Sequence, residues 1–181
     1  MRLISILLFF PSAIAAQEIT RLNADLTGDG VPDRAILALD PGGEGADLLI
    51  YVPNSDGQLA LHTKTKSMIW VGQGGEGPEL SVNPHGSLLI HSINDSIGRY
   101  RWRQTLTVAW RDDTFVLAGF SYHWYDGHDP ERGGTCDVNL LSGKGVRTRG
   151  TFLREISFHT KSRGGPIADW DHDPPTECNI N

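Results

Sequence analysis

Basic residues, cysteines and long apolar runs are all scarce in this sequence. Its 181 residues include 16 lysines and arginines against 22 aspartates and glutamates, which gives a formal net charge of −6. Nucleic-acid binding requires clustered positive charge, so this balance argues against nucleic acid as a partner. No segment repeats apolar residues at a helical period between capping residues, which argues against a helical domain.

The clearest apolar run, interrupted only by Ser5, lies at the N-terminus and is too short to span a bilayer. Arg2 precedes the run Leu3–Phe10, and small residues follow as far as Ala16. This order of a positive start, an apolar stretch and an Ala-x-Ala site is typical of a secretory signal peptide. We therefore predict a signal peptide over 1–16, cleaved after Ala15 or Ala16. The mature chain, 17–181, is then a single periplasmic or secreted domain without a membrane span.

Only two cysteines are present, Cys136 and Cys178, and both belong to the mature chain. An even number of cysteines in an exported protein favours a disulfide. Two separate buried thiols are the alternative that the sequence leaves open.

Motifs of nucleotide and acyl chemistry are missing. The glycine-rich segment 70–78 lacks the Lys-Ser/Thr ending of a phosphate-binding loop, and no Gly-x-Ser-x-Gly elbow occurs. Carboxylates that a hydrolase could use are nevertheless available at Glu76, Glu79, Asp126 and Asp129. Catalysis is therefore not predicted, but it is not excluded.

Short strand-like segments bounded by Gly, Pro, Asn and Asp fill most of the chain, and they predict an all-β or β-rich fold. Arg99–Trp110 alternates most clearly, with Trp102 and Trp110 on one face that we expect to be core. It pairs as a hairpin with Phe115–Trp124. A second hairpin joins 135–141 to 144–149, and the shorter predicted strands are 34–39, 46–52, 58–62, 79–82 and 87–92. Together they predict an antiparallel meander of hairpins with little helix and an irregular tail over 164–181, whereas 17–23 suits either helix or strand.

An acidic loop precedes the predicted strand 34–39. Its oxygens come from Asp25, Thr27, Asp29 and Asp33 and from the carbonyl of Val31. Gly28 and Gly30 separate these residues and allow a tight curl. Ca²⁺ prefers six to eight oxygen ligands, so these five residues are the predicted metal ligands and Ca²⁺ the predicted cofactor. The alternative is a loop that Asp and Thr side chains hold by hydrogen bonds to the backbone, without an ion.

The loop is not an EF-hand, because Ile36 occupies the position of the bidentate glutamate and Thr27 the second ligand position. Residues 25–33 resemble instead the Asp-x-Asp/Asn-Gly-Asp-Gly-x-x-Asp motif of FG-GAP (integrin α N-terminal-like) repeats. That resemblance implies an acidic Ca²⁺-binding loop between β-strands. The segments 25–37, 79–82, 100–108 and 138–144 also resemble a group of small exported bacterial β-rich proteins, which implies export and a β-rich domain but no activity.

Two further clusters combine histidines, carboxylates and aromatic rings. The segments 123–129 and 169–173 carry His and Asp side chains that could bind zinc if they converged, although their spacing matches no zinc signature. Trp124 and Tyr125 suit either core packing or an exposed surface for a sugar or protein. We therefore expect an exported, non-enzymatic binding or structural module with a Ca²⁺-stabilised loop. Its partner would be a protein or glycan of the cell envelope, and the alternative is a small hydrolase of envelope polymers or an inhibitor of one.

Overall fold

Two antiparallel sheets form the protein, and a computed structural model describes them over residues 17–43, 45–72, 77–150 and 154–178. The predicted signal peptide, residues 73–76 of the glycine-rich segment and the last three residues of the tail lie outside this described part. The β-rich fold predicted from the sequence is confirmed.

The first sheet has five strands in the order β1-β2-β3-β4, and β5 pairs with the β3 residues that precede those paired with β4. The strands are β1 (Glu18–Ala24), β2 (Asp33–Leu39), β3 (Gly45–Pro53), β4 (Leu59–Lys64) and β5 (Ile69–Trp70). Ala35 and Leu37 of β2 are fully buried and alternate with partly exposed neighbours, as the sequence pattern requires. The segment that suited helix or strand is therefore strand β1.

The second sheet is a seven-stranded meander in which every strand pairs with its neighbours in sequence. Its strands are β6 (Glu79–Val82), β7 (Leu88–Asn94), β8 (Tyr100–Arg111), β9 (Thr114–Asp126), β10 (Asp129–Asn139), β11 (Lys144–Arg149) and β12 (Ile156–His159). Strand β12 is short and mostly exposed, and no prediction from the sequence included it.

The β8–β9 hairpin is the longest pairing in the protein and confirms the predicted hairpin. Its turn places Asp112 at φ 48° and Asp113 at φ 58°. Two successive left-handed residues are typical of the two-residue turn whose twist matches that of the flanking strands. The turn chemistry of the two aspartates therefore agrees with the apolar alternation on either side.

One cluster of buried side chains joins the two sheets. It includes Leu37 and Ile50 from the first sheet and Leu88 and Leu106 from the second. Burying such side chains contributes about 1.5–3 kcal/mol each relative to leaving them exposed.

Four positions depart from the predicted core pattern. Trp110 packs against the core cluster but is only half-buried, so the prediction that it is a core residue is confirmed in part. Trp102 is also half-buried and does not belong to the core cluster. In the predicted strand 58–62 alternation places Leu59 and Leu61 on one face, which should be buried, yet both are exposed. The alternation of β4 is therefore not matched by burial.

The C-terminal segment lies against the second sheet through two short 3₁₀ turns, Ile167–Asp169 and Thr176–Cys178. Ile167 is buried in the core cluster. Cys178 forms a disulfide with Cys136 of β10, which confirms the predicted pairing. None of the helices in the described ranges is long and apolar enough to cross a membrane.

Replacing both cysteines by alanine should lower the free energy of unfolding by about 2–4 kcal/mol, because the bridge closes a loop in the unfolded chain. The two residues are 42 positions apart. Urea unfolding of the double variant beside the wild type measures the loss. A thiol assay on the unreduced, denatured protein should find no free thiol; two thiols per chain would contradict the pairing.

Candidate functional site: an acidic loop and an aromatic cleft

The acidic loop between β1 and β2 is held by its own carboxylates. Asp25 accepts hydrogen bonds from the backbone N–H groups of Gly28, Asp29 and Gly30, at 2.6, 3.1 and 2.9 Å. Asp29 Oδ1 accepts from the N–H of Val31 at 2.8 Å. Gly28 and Gly30 adopt φ of 82° and 86°, as the predicted curl requires.

Asp33, the first residue of β2, ends the loop and is fully buried. Its Oδ2 accepts from the N–H groups of Leu26 and Thr27 at 2.8 and 2.9 Å. Its Oδ1 and the Thr27 hydroxyl are both buried and have no hydrogen-bond partner among the described residues. Buried oxygens without partners carry a free-energy penalty that a cation would remove.

A metal centre is not assembled in the described ranges, where no three His, Cys, Asp or Glu side chains are placed to hold an ion. This applies to the acidic loop and to the predicted zinc segments alike. The loop carboxylates accept hydrogen bonds from backbone N–H groups, as the alternative of a hydrogen-bonded loop also predicts. The two partnerless oxygens of Thr27 and Asp33 are the feature that fits a cation.

A second candidate site opens where β9 and β10 separate. Between the pairs Asp126–Asp129 and Trp124–Gly134, β9 contributes only Tyr125 whereas β10 contributes residues 130–133. The extra residues form a bulge, and bulges often re-aim side chains beside binding sites. The cleft beside this bulge has a volume of about 630 Å³, within the range of about 300–1,000 Å³ that small-molecule sites occupy.

Five aromatic side chains line the cleft: Tyr100, Trp102, Tyr122, Trp124 and Tyr125. Three of them, Tyr122, Trp102 and Trp124, continue a row of rings that starts in the core at Phe120. Ring centroids lie 6.0 Å apart from Phe120 to Tyr122, and 5.9 Å apart from Tyr122 to both Trp102 and Trp124. Tyr100 and Tyr125 remain 58% and 37% exposed. The row thus runs from the hydrophobic core to the cleft, and these two exposed tyrosines line the cleft beside it.

Gly134 of β10 makes room for this row. A Cβ at that position would lie 2.7 Å from the Trp124 ring and 2.4 Å from the Thr148 carbonyl oxygen. Any larger residue would displace the indole or the neighbouring strand. The glycine therefore sets the position of Trp124.

Burial also fixes the chemistry of the cleft wall. It raises the pKa of the Tyr122 phenol to about 12. Tyr122 consequently remains a neutral hydroxyl at any physiological pH, able to donate a hydrogen bond.

Charged side chains complete the lining, and arginines predominate. They are Arg101, Arg132 and Arg149, with Glu131 as the one acidic member. Arg132 Nε lies 3.2 Å from Asp129 Oδ2. The Nη1 atom of Arg101 is buried and has no hydrogen-bond partner in the described part of the chain.

An ion pair fixes the strand ends beside the cleft. Arg99 Nε donates to Asp126 Oδ1 at 2.6 Å, and the N–H of His128 donates to the same oxygen at 2.8 Å. The hydrogen bond from Arg99 is the main reason that the pKa of the Asp126 carboxyl lies below its ordinary value. The Arg99 guanidinium also lies over the Tyr100 ring, 5.8 Å from its centroid.

Of the other carboxylates that would be available to a hydrolase, Asp129 lies opposite Asp126 across the β9–β10 pair. Asp129 is paired with Arg132, Glu79 lies exposed on β6, and Glu76 is outside the described residues. A general acid needs a raised pKa, whereas that of Asp126 is lowered. The arrangement suits structure better than acid catalysis.

Sequence reasoning missed a hydroxyl–imidazole chain on the face of the second sheet away from the core. Ser81 Oγ lies 2.8 Å from His91 Nε2, and His91 Nδ1 lies 3.0 Å from Thr105 Oγ1. In a catalytic triad a carboxylate in the third place stabilises the imidazolium. Thr105 carries no charge and cannot do so. The spacing of these residues on three different strands gave no signal in the sequence.

Replacing Asp126 by asparagine should lower stability at pH 7 and make little difference at low pH. Because the folded pKa of Asp126 is depressed, its stabilising contribution is present above the unfolded pKa of about 3.9 and is lost as pH falls through the folded value. Urea unfolding of both proteins from pH 7 to pH 2 measures the difference. Asp56→Asn, an equal charge change in an exposed turn, is the control. A difference independent of pH would contradict the assignment.

Comparison with known proteins identified no relative of this chain. No protein-family model matches the chain, and neither the curated proteins nor the solved structures gave a match. Functional assignment therefore depends on the chemistry of the acidic loop and the aromatic cleft.

Proposed function

We propose that this protein is an exported, non-enzymatic binding module whose aromatic cleft holds a protein or glycan of the cell envelope. The observation that carries the proposal is the cleft lined by five aromatic side chains, of which Tyr100 and Tyr125 are exposed. Aromatic side chains supply large contact areas at low entropic cost and dominate binding surfaces. The sequence had left open whether Trp124 and Tyr125 form core or surface. Tyr125 is exposed, whereas the half-buried Trp124 packs against the core cluster and also lines the cleft.

The hydrolase alternative has one observation in its favour, the Ser81–His91 contact. It lacks the carboxylate that would stabilise a charged imidazole. The carboxylates that flank the cleft, Asp126 and Asp129, are both paired with arginines. Binding is therefore the function that this chemistry supports best.

Export agrees with the disulfide between Cys136 and Cys178, because such bonds persist in oxidising compartments. The proposed signal peptide over residues 1–16 would direct this export. The periplasm or the cell exterior is thus the proposed location, and an envelope polymer is a partner found there.

The acidic loop is proposed to bind Ca²⁺ through Asp25, Thr27, Asp29, Asp33 and the Val31 carbonyl, in line with its FG-GAP resemblance. The buried and partnerless oxygens of Thr27 and Asp33 support this set. Thr27 removes one negative charge from the usual ligand pattern, which favours the weak affinities of extracellular modules, about 10⁻⁴–10⁻³ M. When bound, the ion would hold the entry to β2 in shape.

Replacing the two exposed rings should weaken binding of an envelope fraction. Glycan and protein fractions of the envelope are titrated separately into the wild type and into a Tyr100→Ala/Tyr125→Ala variant. Each anchor contributes about 1 kcal/mol, so the double variant should bind about 30-fold more weakly. Leu59→Ala/Leu61→Ala, which removes exposed apolar groups from β4, should bind normally.

Two outcomes would contradict this assignment. Equal affinity of wild type and the Tyr100→Ala/Tyr125→Ala variant would remove the cleft from the function. Steady release of new reducing ends or peptide termini would favour the hydrolase alternative.

Calcium at about 10 mM should raise the free energy of unfolding by about 1.4–2.7 kcal/mol relative to EDTA, given the affinity range above. For a protein of this size the melting temperature would rise by about 3–10 °C. Asp33→Asn should abolish this difference, whereas Asp56→Asn, with the same change of charge, should retain it. An identical melting temperature of the wild type in Ca²⁺ and in EDTA would overturn the calcium proposal.

A further inference from the structure

We infer that the aromatic cleft recognises a carboxylate-bearing sugar, a hexuronate unit of an acidic oligosaccharide, with Arg101 as the group that binds the carboxylate. This inference rests on the binding function proposed above and specifies its ligand. It starts from the buried Nη1 atom of Arg101, which has no hydrogen-bond partner among the described residues. A buried cationic donor without a partner carries a penalty, and an anionic ligand would remove it.

The charge of the cleft is opposite to that of the protein. The whole chain carries a net charge of −6, yet the cleft gathers Arg101, Arg132 and Arg149 around a single Glu131. Guanidinium groups bind carboxylates through two parallel hydrogen bonds, which gives directional recognition. An anion is therefore the ligand whose charge complements this surface.

The aromatic walls specify what carries the anionic group. Flat rings at Trp124, Tyr100 and Tyr125 offer faces against which the apolar face of a sugar ring can pack. The Tyr122 phenol remains neutral and can donate a hydrogen bond to a sugar hydroxyl, while Glu131 can accept one. Alternating apolar faces and hydroxyl groups are what a pyranose presents.

Densely charged phosphate ligands fit less well. Glu131 lies in the lining and would repel a polyanion. Phosphate chains are commonly held by helix N-termini, and the helices described in this chain are 3₁₀ turns of three residues. A single carboxylate on a sugar ring matches the partnerless Nη1 atom of Arg101 in a cleft lined by aromatic rings.

The test uses trigalacturonate as the probe and its methyl ester as a neutral probe of the same shape. Isothermal titration of the full mature protein should show the acid binding at least tenfold more tightly than the ester. Arg101→Gln should lower affinity for the acid at least tenfold and leave affinity for the ester unchanged. Arg111→Gln, the same substitution at the opposite end of β8, should bind both probes as the wild type does. Circular dichroism confirms that each variant is folded.

The outcomes separate this inference from the proposed function. Equal affinity for acid and ester, or full affinity of Arg101→Gln for the acid, would overturn the carboxylate assignment while binding at the cleft stands. Binding of an envelope protein fraction or of a nucleotide, without binding of trigalacturonate, would overturn the sugar and keep the cleft. Failure of every probe and every envelope fraction would overturn both.

Discussion

The separation of β9 from β10 at Tyr125 is the constraint on which the candidate binding site depends. One residue of β9 faces four residues of β10 before pairing resumes at Asp126 and Asp129. An unpaired stretch in a sheet costs hydrogen bonds, so neighbouring interactions must hold its ends. The Arg99–Asp126 ion pair holds one end, and the close approach of Gly134 to Trp124 sets the other. The opening between them is the cleft.

The row of aromatic rings connects this opening to the core. Phe120 is buried in the two-sheet cluster, and the half-buried Tyr122 and Trp124 pack against that cluster. Rings that are packed on one side lose little freedom when a ligand covers the other side. The cleft is thus preorganised by the same packing that stabilises the sandwich, and this favours binding over a reaction that needs movement.

Most of the architecture followed from the sequence, and most of the site did not. Apolar alternation in Arg99–Trp110 and the aspartates of its turn located the β8–β9 hairpin, because both signals are local. Trp102 shows why the site was harder to predict. Alternation assigned it to the inward face, which is correct, but whether that face is covered depends on the opposite sheet and on the bulge in β10. Such long-range geometry leaves no periodic signal along the chain.

The two candidate sites lie at opposite ends of β7. A Cβ on Gly86, in the turn before β7, would lie 3.8 Å from the Asp25 carbonyl oxygen, whereas Asn94 at the far end pairs with Trp102. The seven residues of β7 span about 20 Å at about 3.3 Å per residue, so an ion in the acidic loop would not contact a ligand in the cleft. An ion would stabilise the folded state as a whole, and with it the packing of β7 against β8. Coupling between calcium and ligand would then act only through stability: at temperatures well below unfolding, where the folded fraction is already close to one, calcium should leave ligand affinity unchanged.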